Sequence, residues 1–185
     1  MKQQAIFLDR DGTLNIEKNY LYRIEDWEWV PGALEAILRI NRMGFLAIVL
    51  TNQSGIARGY YDADAVITLH RRVDELLAEA GARIDAYYFC PHHPEYGSIH
   101  NCACRKPKAG LLMQAKNDFD IDLARSWMIG DRLSDIQAGF CAGATPILVQ
   151  TGYGAKEYIH APFNLRCEAN VLTAVRSIEC CQSKI

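Results

Sequence analysis

Along the chain, short apolar runs alternate with longer stretches in which apolar residues recur every three or four positions. Residues 4–8 (QAIFL), 45–52 (FLAIVLTN), 84–90 (IDAYYFC), 126–131 (SWMIGD) and 145–152 (TPILVQTG) read as strands. Residues 30–44, 62–81, 108–119 and 133–143 carry the helical period, and a last helix is expected from about Glu168 to Ser177. Pro31 and Gly44 bracket the first helix; Asp62 or Asp64 caps the second, and Gly81 stops it. The run FLAIVL is almost wholly apolar, as in a sheet covered on both faces. This alternation predicts a Rossmann-like three-layer α/β fold with a central parallel sheet. Ligands of such sheets sit beyond the carboxyl ends of the strands. Those ends read Asp9-Arg10-Asp11, Thr51-Asn52-Gln53-Ser54, Cys90-Pro91-His92 and Gly130-Asp131, all polar or metal-binding.

No repeat, low-complexity tract or linker interrupts the pattern, so residues 1–185 are expected to form a single domain. The net charge of −2 gives no sign of a nucleic-acid or membrane-seeking surface. No apolar run reaches the ~18 residues of a membrane span, and the first strand follows Met1 too closely to leave room for a leader. Seven cysteines, an odd number without a leader, argue for a reducing, cytoplasmic setting rather than a disulfide framework. Cys141, Cys167, Cys180 and Cys181 are scattered and read as incidental thiols.

Asp9 and Asp11 lie two positions apart at a strand end. Paired carboxylates repel, and a divalent cation relieves the repulsion. On their own they fit a capped turn equally well. Asp131 ends another strand and would complete a cation site, with Asp135 one helical turn on to orient it. Thr51 offers a hydroxyl followed by backbone N–H groups that suit an anion, and Lys106 offers a compact positive charge suited to phosphate.

Taken in order, Asp9–Thr13 (DRDGT), Thr51-Asn52, Lys106 and Gly130–Asp135 resemble the four signature motifs of the haloacid dehalogenase superfamily, over residues 5 to about 150. The resemblance implies a phosphoric monoester hydrolase. Asp9 would be the nucleophile, forming an aspartyl-phosphate. Asp11 would protonate the leaving oxygen and then act as base on water. Thr51 and Lys106 would hold the phosphoryl oxygens. Magnesium would be held by Asp9, Asp131 and the backbone carbonyl of Asp11.

A second constellation lies in CPHHPEYGSIHNCACRKP. Cys90, Cys102, Cys104 and a histidine make two close pairs that suit tetrahedral zinc, with no position left for water, hence a structural site. The family pattern C-x-H … C-x-C selects His92 over His93 and His100. The loop 90–104 ends directly at Arg105-Lys106.

The gaps between motifs hold ordinary strands and helices, so a capless member is expected. Within the superfamily the clip and CRKPK resemble two families, the heptose 1,7-bisphosphate 7-phosphatases of lipopolysaccharide-core precursor synthesis and the histidinol-phosphate phosphatases. FLDRDGTLN, TNQSGIARG, CPHHP, CACRKPKAG and MIGDRLSDIQAG are closer to the heptose family. The implied substrate contacts are Asp9, Arg10, Asp11, Glu17, Lys18, Asn19, Tyr20, Thr51, Asn52, Gln53, Ser54, Arg105, Lys106 and Arg132. Arg132 stands where that family usually has lysine. Arg10, Arg58, Arg105, Lys106, Lys108 and Arg132 lie near strand ends, which is compatible with a substrate of two phosphates; Arg10, Arg58 and Lys108 fit ordinary surface charges equally well. The expected partner is a small phosphorylated sugar bound by a monomer, without nucleic acid or membrane. A rival from another class is a non-catalytic, zinc-clipped binding module.

Overall fold

The structure is a computed structural model that describes residues 2–162 and 164–182. Six strands form one parallel sheet: β1 (Ala5–Leu8), β2 (Leu46–Asn52), β3 (Ala86–Cys90), β4 (Trp127–Gly130), β5 (Thr145–Val149) and β6 (Cys167–Glu168). Their spatial order is β3-β2-β1-β4-β5-β6. Six helices accompany them: α1 (Ala33–Arg42), α2 (Ala63–Glu79), α3 (Gly110–Phe119), α4 (Leu133–Ala142), the single-turn α5 (Gly154–Glu157) and α6 (Val171–Gln182).

The helices divide between the two faces because strand residues alternate. Ile6, Leu8, Val49, Ile129 and Ile147 point into a core built with Ile37 of α1, Leu69 of α2 and Val175 of α6. Phe7, Ile48, Leu50 and Met128 point the other way, onto Leu111 and Leu112 of α3 and Ala138 of α4. Both faces of β1 are therefore buried, which explains its unbroken apolar run.

β1 pairs with β2 on one side and β4 on the other. The direction of winding reverses there, and a crevice opens above the strand's carboxyl end. Asp9 is the first residue in that crevice, with its N–H donating to Ile129 O at 2.9 Å. No separate cap lies between the motifs among the described residues. The segment after β1 holds only a short 3₁₀ turn, Ile24–Asp26, and residues 91–109 form a loop.

Most expected elements form close to their expected limits. Asp62, not Asp64, caps α2: its side chain accepts from Ala65 N at 2.8 Å. The last helix begins at Val171 and extends to Gln182, because Cys167 and Glu168 are taken by β6 in register with Leu148 and Val149. Two residues of strand are too few to carry a period in the sequence.

α4 lies very close to β4 at Gly139, where an added Cβ would stand 2.6 Å from Met128 Cβ. Gly139→Ala is expected to overpack this contact and lower stability by about 1–3 kcal/mol, read by urea denaturation. An unchanged midpoint would show that the helix is free to shift.

Candidate active site

Four chain segments converge above β1. Asp9 follows β1, Thr51 is the last residue but one of β2, Lys106 comes from the loop after β3, and Asp131 follows β4. Lys106 is only 3 % exposed. Its Nζ lies 2.7 Å from Asp9 Oδ1, 2.7 Å from Asp135 Oδ1 and 2.6 Å from Leu50 O. Its backbone is fixed as firmly: Asn52 Nδ2 donates to Lys106 O, and Lys106 N donates to Asn52 Oδ1, both at 3.1 Å.

Asp9, Asp131 and Asp135 bring one carboxylate oxygen each to within 4.8 Å of one another, all three buried. Burial, offset in part by Lys106 and reinforced by Asp135, pushes Asp9 up to about 7. Burial, then the charges of Asp9 and Asp135, push Asp131 up to about 8. Burial alone would lower Lys106, but Asp135 and Asp9 hold it above its ordinary value. One Asp131 oxygen accepts from Tyr153 N at 2.7 Å, whereas the other, Oδ1, is buried without a partner. Clustered hard oxygen donors, one of them orphaned, fit a divalent cation. Gly12, with φ of +85°, makes room for this cluster, because a Cβ there would lie 2.3 Å from Asp131 Oδ2.

Asp11 stands apart from that cluster. Arg10 grips its carboxylate with Nε to Oδ2 at 3.1 Å and Nη2 to Oδ1 at 2.9 Å. Asn15 Nδ2 adds 3.0 Å to Oδ1, and Gln53 Nε2 adds 2.9 Å to Oδ2. Burial pushes Asp11 up, but the Arg10 charge and these hydrogen bonds hold it below its usual value. Gln53 Nε2 also donates to Thr51 Oγ1 at 2.8 Å and so ties Asp11 to the second strand end.

A cavity of about 520 Å³ opens over these groups. Glu17, Asn19 and Tyr20 line one wall, and Thr51, Asn52, Gln53 and Ser54 line another, as the sequence suggests. Arg105 and Arg132 reach it as well. Two expected substrate contacts do not. Arg10 is 1 % exposed, the largest fully buried side chain, with its donors spent on Asp11 and on Leu21 O at 2.8 Å. Lys18 pairs with Glu28 at 3.0 Å, outside the lining. Asp131 lies beneath the cavity rather than on its wall.

Tyr61, Ser134 and Tyr153 also line the cavity without having been marked by the sequence, and His93, offered there only as a rival zinc ligand on the loop 90–104, lines it too. Tyr61, His93 and Tyr153 arrive from loops and Ser134 from the first turn of α4. Arg58 was marked only as one of several charges. It lies over the Tyr96 ring at 3.9 Å and donates to His93 Nε2 at 3.1 Å. Arg132 lies over Tyr153 at 3.7 Å.

The second cluster forms on the loop after β3. Cys90, His92, Cys102 and Cys104 bring their ligand atoms within 4.8 Å of one another. The Cys90 Sγ lies 3.6 Å from Cys102 Sγ and 3.2 Å from Cys104 Sγ, and His92 Nδ1 lies 3.3 Å from Cys104 Sγ. A tetrahedron with metal–sulfur bonds of ~2.3 Å has edges of roughly 3.7 Å, so the spacing fits a metal. All these thiols are free. Burial raises the Cys90 and Cys104 thiols, whereas contacts from Cys104, the Arg105 backbone and His92 outweigh burial at Cys102 and bring it below its ordinary value. Arg105 Nη1 donates to His92 O at 2.9 Å, locking this loop to the segment carrying Lys106.

The HAD-hydrolase-like family model matches residues 103–174. The chain is 44 % identical over 153 residues to the D-glycero-beta-D-manno-heptose-1,7-bisphosphate 7-phosphatase of Escherichia coli (strain K12), covering 80 % of each chain. It is 46 % identical over 172 residues to the D-glycero-D-manno-heptose-1,7-bisphosphate 7-phosphatase of Thermosynechococcus vestitus, covering 87 % of this chain and 88 % of that one. Among solved structures, the D,D-heptose 1,7-bisphosphate phosphatase of B. bronchiseptica, complexed with magnesium and phosphate, superposes with a TM-score of 0.88 at 34 % identity. That match covers 96 % of this chain and 98 % of the other. With the strand-end carboxylates and lysine described above, the chain belongs to the haloacid dehalogenase-like hydrolases, and it is a phosphatase. Within that class its family is the heptose-1,7-bisphosphate 7-phosphatases.

The raised carboxyls set a pH dependence. A group whose folded pKa exceeds its unfolded value loses its proton first in the unfolded chain, so stability falls as pH rises between the two. Metal-free protein is expected to lose stability from about pH 4, the ordinary carboxyl value, through the range of Asp9 near 7 and Asp131 near 8. Millimolar divalent cation is expected to remove most of that loss, read by urea denaturation across pH. Stability rising over this range without metal would contradict the burial of the carboxylates.

Proposed function

We propose that the chain hydrolyses the 7-phosphate of D-glycero-D-manno-heptose 1,7-bisphosphate through an aspartyl-phosphate on Asp9. The observation that carries this reading is the buried Lys106 bonded at once to Asp9 and Asp135, at the floor of a cavity whose walls carry Arg58, Arg105 and Arg132. A nucleophile, a phosphate-binding cation and spare positive charge for a second phosphate thus share one pocket.

Lys106 bonds Asp9 at Oδ1 and favours its anion, opposing in part the burial that raises the carboxyl. Asp9 attacks phosphorus, the bond from phosphorus to the sugar oxygen breaks, and protonated Asp11 delivers its proton to that oxygen. Asp11 then takes a proton from water as the water attacks phosphorus, freeing the Asp9 carboxylate. The fourfold hydrogen bonding of Asp11 favours the anion needed for this second step. A phosphate dianion arriving nearby favours the acid needed for the first. Thr51 Oγ1 and Lys106 Nζ hold the phosphoryl oxygens.

Asp9, Asp131 and the Asp11 carbonyl would hold magnesium, with Asp135 oriented beside them, as the donor set allows. When bound, magnesium supplies the positive charge that lets a carboxylate approach a phosphate. Cys90, His92, Cys102 and Cys104 would hold a structural zinc that stiffens the loop behind Arg105 and Lys106. The family's place in lipopolysaccharide-core precursor synthesis, a single capless domain acting as a monomer on a small sugar phosphate, and a cytoplasmic setting complete the reading. No helix among the described residues is long and apolar enough to cross a membrane.

Side-by-side kcat/KM values should favour the heptose bisphosphate over histidinol phosphate by at least about 100-fold, since Arg58, Arg105 and Arg132 offer charge to a second phosphate that histidinol phosphate lacks. Equal values, or a preference for histidinol phosphate, would overturn the reading. Asp9→Asn should fold normally and lose at least about 1000-fold in kcat; native turnover would exclude Asp9 as the nucleophile, whereas native protein without turnover on any phosphate ester would restore the binding-module alternative. Purified, reduced protein should carry about one zinc per chain, and Cys104→Ser should lose it and weaken KM. Zinc-free protein of full stability would refute the clip.

A further inference from the structure

Burying Arg10 at 1 % exposure is costly unless its donors are all met. Nε and Nη2 meet Asp11, and Nη2 also meets Leu21 O. The remaining nitrogen, Nη1, points to His70 Nε2 at 3.4 Å. His70 sits on α2 in the stripe Val66, Leu69, His70, Val73 and Leu77 that faces the core. It is 5 % exposed, and its ring stacks on Tyr87 with centroids 4.3 Å apart and planes 16° apart. Phe89 closes from the edge at 6.3 Å.

A guanidinium only donates, so Nε2 must accept and Nδ1 must carry the proton. Burial, then the Arg10 charge, lowers His70 to about 3, and the ring stays neutral. An apolar side chain would fill this slot in α2 just as well. What histidine adds is the acceptor. The two ring neighbours leave the imidazole little freedom, so the acceptor is fixed in space and in direction.

We propose that His70 is a positioning residue for proton transfer: its clamped ring fixes the guanidinium of Arg10, which fixes the carboxyl of Asp11 at the pocket. The proposal rests on the reading of Asp11 as acid and base. His70 does not line the pocket and acts only through Arg10. Without the acceptor, Nη1 is left unmet, the guanidinium turns to find another partner, and the fork that holds Asp11 turns with it. Proton transfer depends on sub-ångström placement, whereas binding of the phosphates by Lys106 and the rim arginines does not involve this chain of contacts.

His70→Leu removes the acceptor and keeps the bulk; His70→Gln keeps an acceptor near the position of Nε2. His70→Leu is expected to lower kcat roughly 10- to 100-fold with KM changed by less than about twofold, and His70→Gln to recover most of the loss at equal Tm. Native kcat in His70→Leu, or equal loss in both variants, overturns the proposal. Should His70→Leu fail to fold, the native protein answers: its imidazole ¹⁵N spectrum is expected to show His70 with an unprotonated, hydrogen-bonded Nε2. A protonated Nε2 overturns the proposal. Slow turnover in Asp11→Asn beside native kcat in His70→Leu refutes the positioning role alone. Native turnover in Asp11→Asn refutes the acid–base reading beneath it.

Discussion

The ammonium of Lys106 lies 2.7 Å from Asp9 and 2.7 Å from Asp135, shielded from water, and every other feature of the site answers to that contact. Three buried carboxylates within reach of one another repel, and one lysine cannot neutralise them. Burial first, and the neighbouring carboxylates after it, raise Asp9 and Asp131. A divalent cation beside the carboxylates would relieve that repulsion, and a phosphate beside the ammonium would meet the opposite charge.

Placing a lysine that accurately requires the loop bearing it to be rigid, and the loop has little apolar content to pack. Two devices take the place of a core. Asn52 exchanges a pair of hydrogen bonds with the Lys106 backbone, so the end of β2 holds the loop directly. The Cys90, His92, Cys102 and Cys104 cluster gathers residues 90–104, and Arg105 bonds back to His92 O. Charge on the pocket wall is stiffened by aromatic rings as well, Arg58 on Tyr96 and Arg132 on Tyr153. A capless pocket thereby acquires walls that do not depend on a second domain.

The legible part of the sequence was the part governed by period and order. Apolar strands without alternation announced a sheet buried on both faces, and in such a sheet the polar residues after each strand must meet. Asp9, Thr51 and Asp131 followed from that rule alone. Asp9 joins the acidic cluster, whereas Asp11 is gripped by Arg10, Asn15 and Gln53, so the two carboxylates stand in different surroundings. Arg10 was misplaced for a physical reason. A charged residue between two site aspartates suggests a substrate contact, and nothing local reveals that its donors close inward on Asp11, Leu21 and His70. His70 left only a faint trace, a polar residue in the apolar stripe of α2. Tyr61 and Tyr153 left none, because loops rather than periods carry them to the pocket.

The central claim is that Asp9 takes the phosphoryl group before water does. Each in-line displacement inverts phosphorus. The stereochemical course therefore decides the claim, with the 7-phosphate made chiral by sulfur and oxygen isotopes and hydrolysed in isotopically labelled water. Attack by Asp9 followed by attack by water is two inversions, and the account predicts net retention of configuration. Net inversion would mean that water attacks the substrate directly and would contradict it.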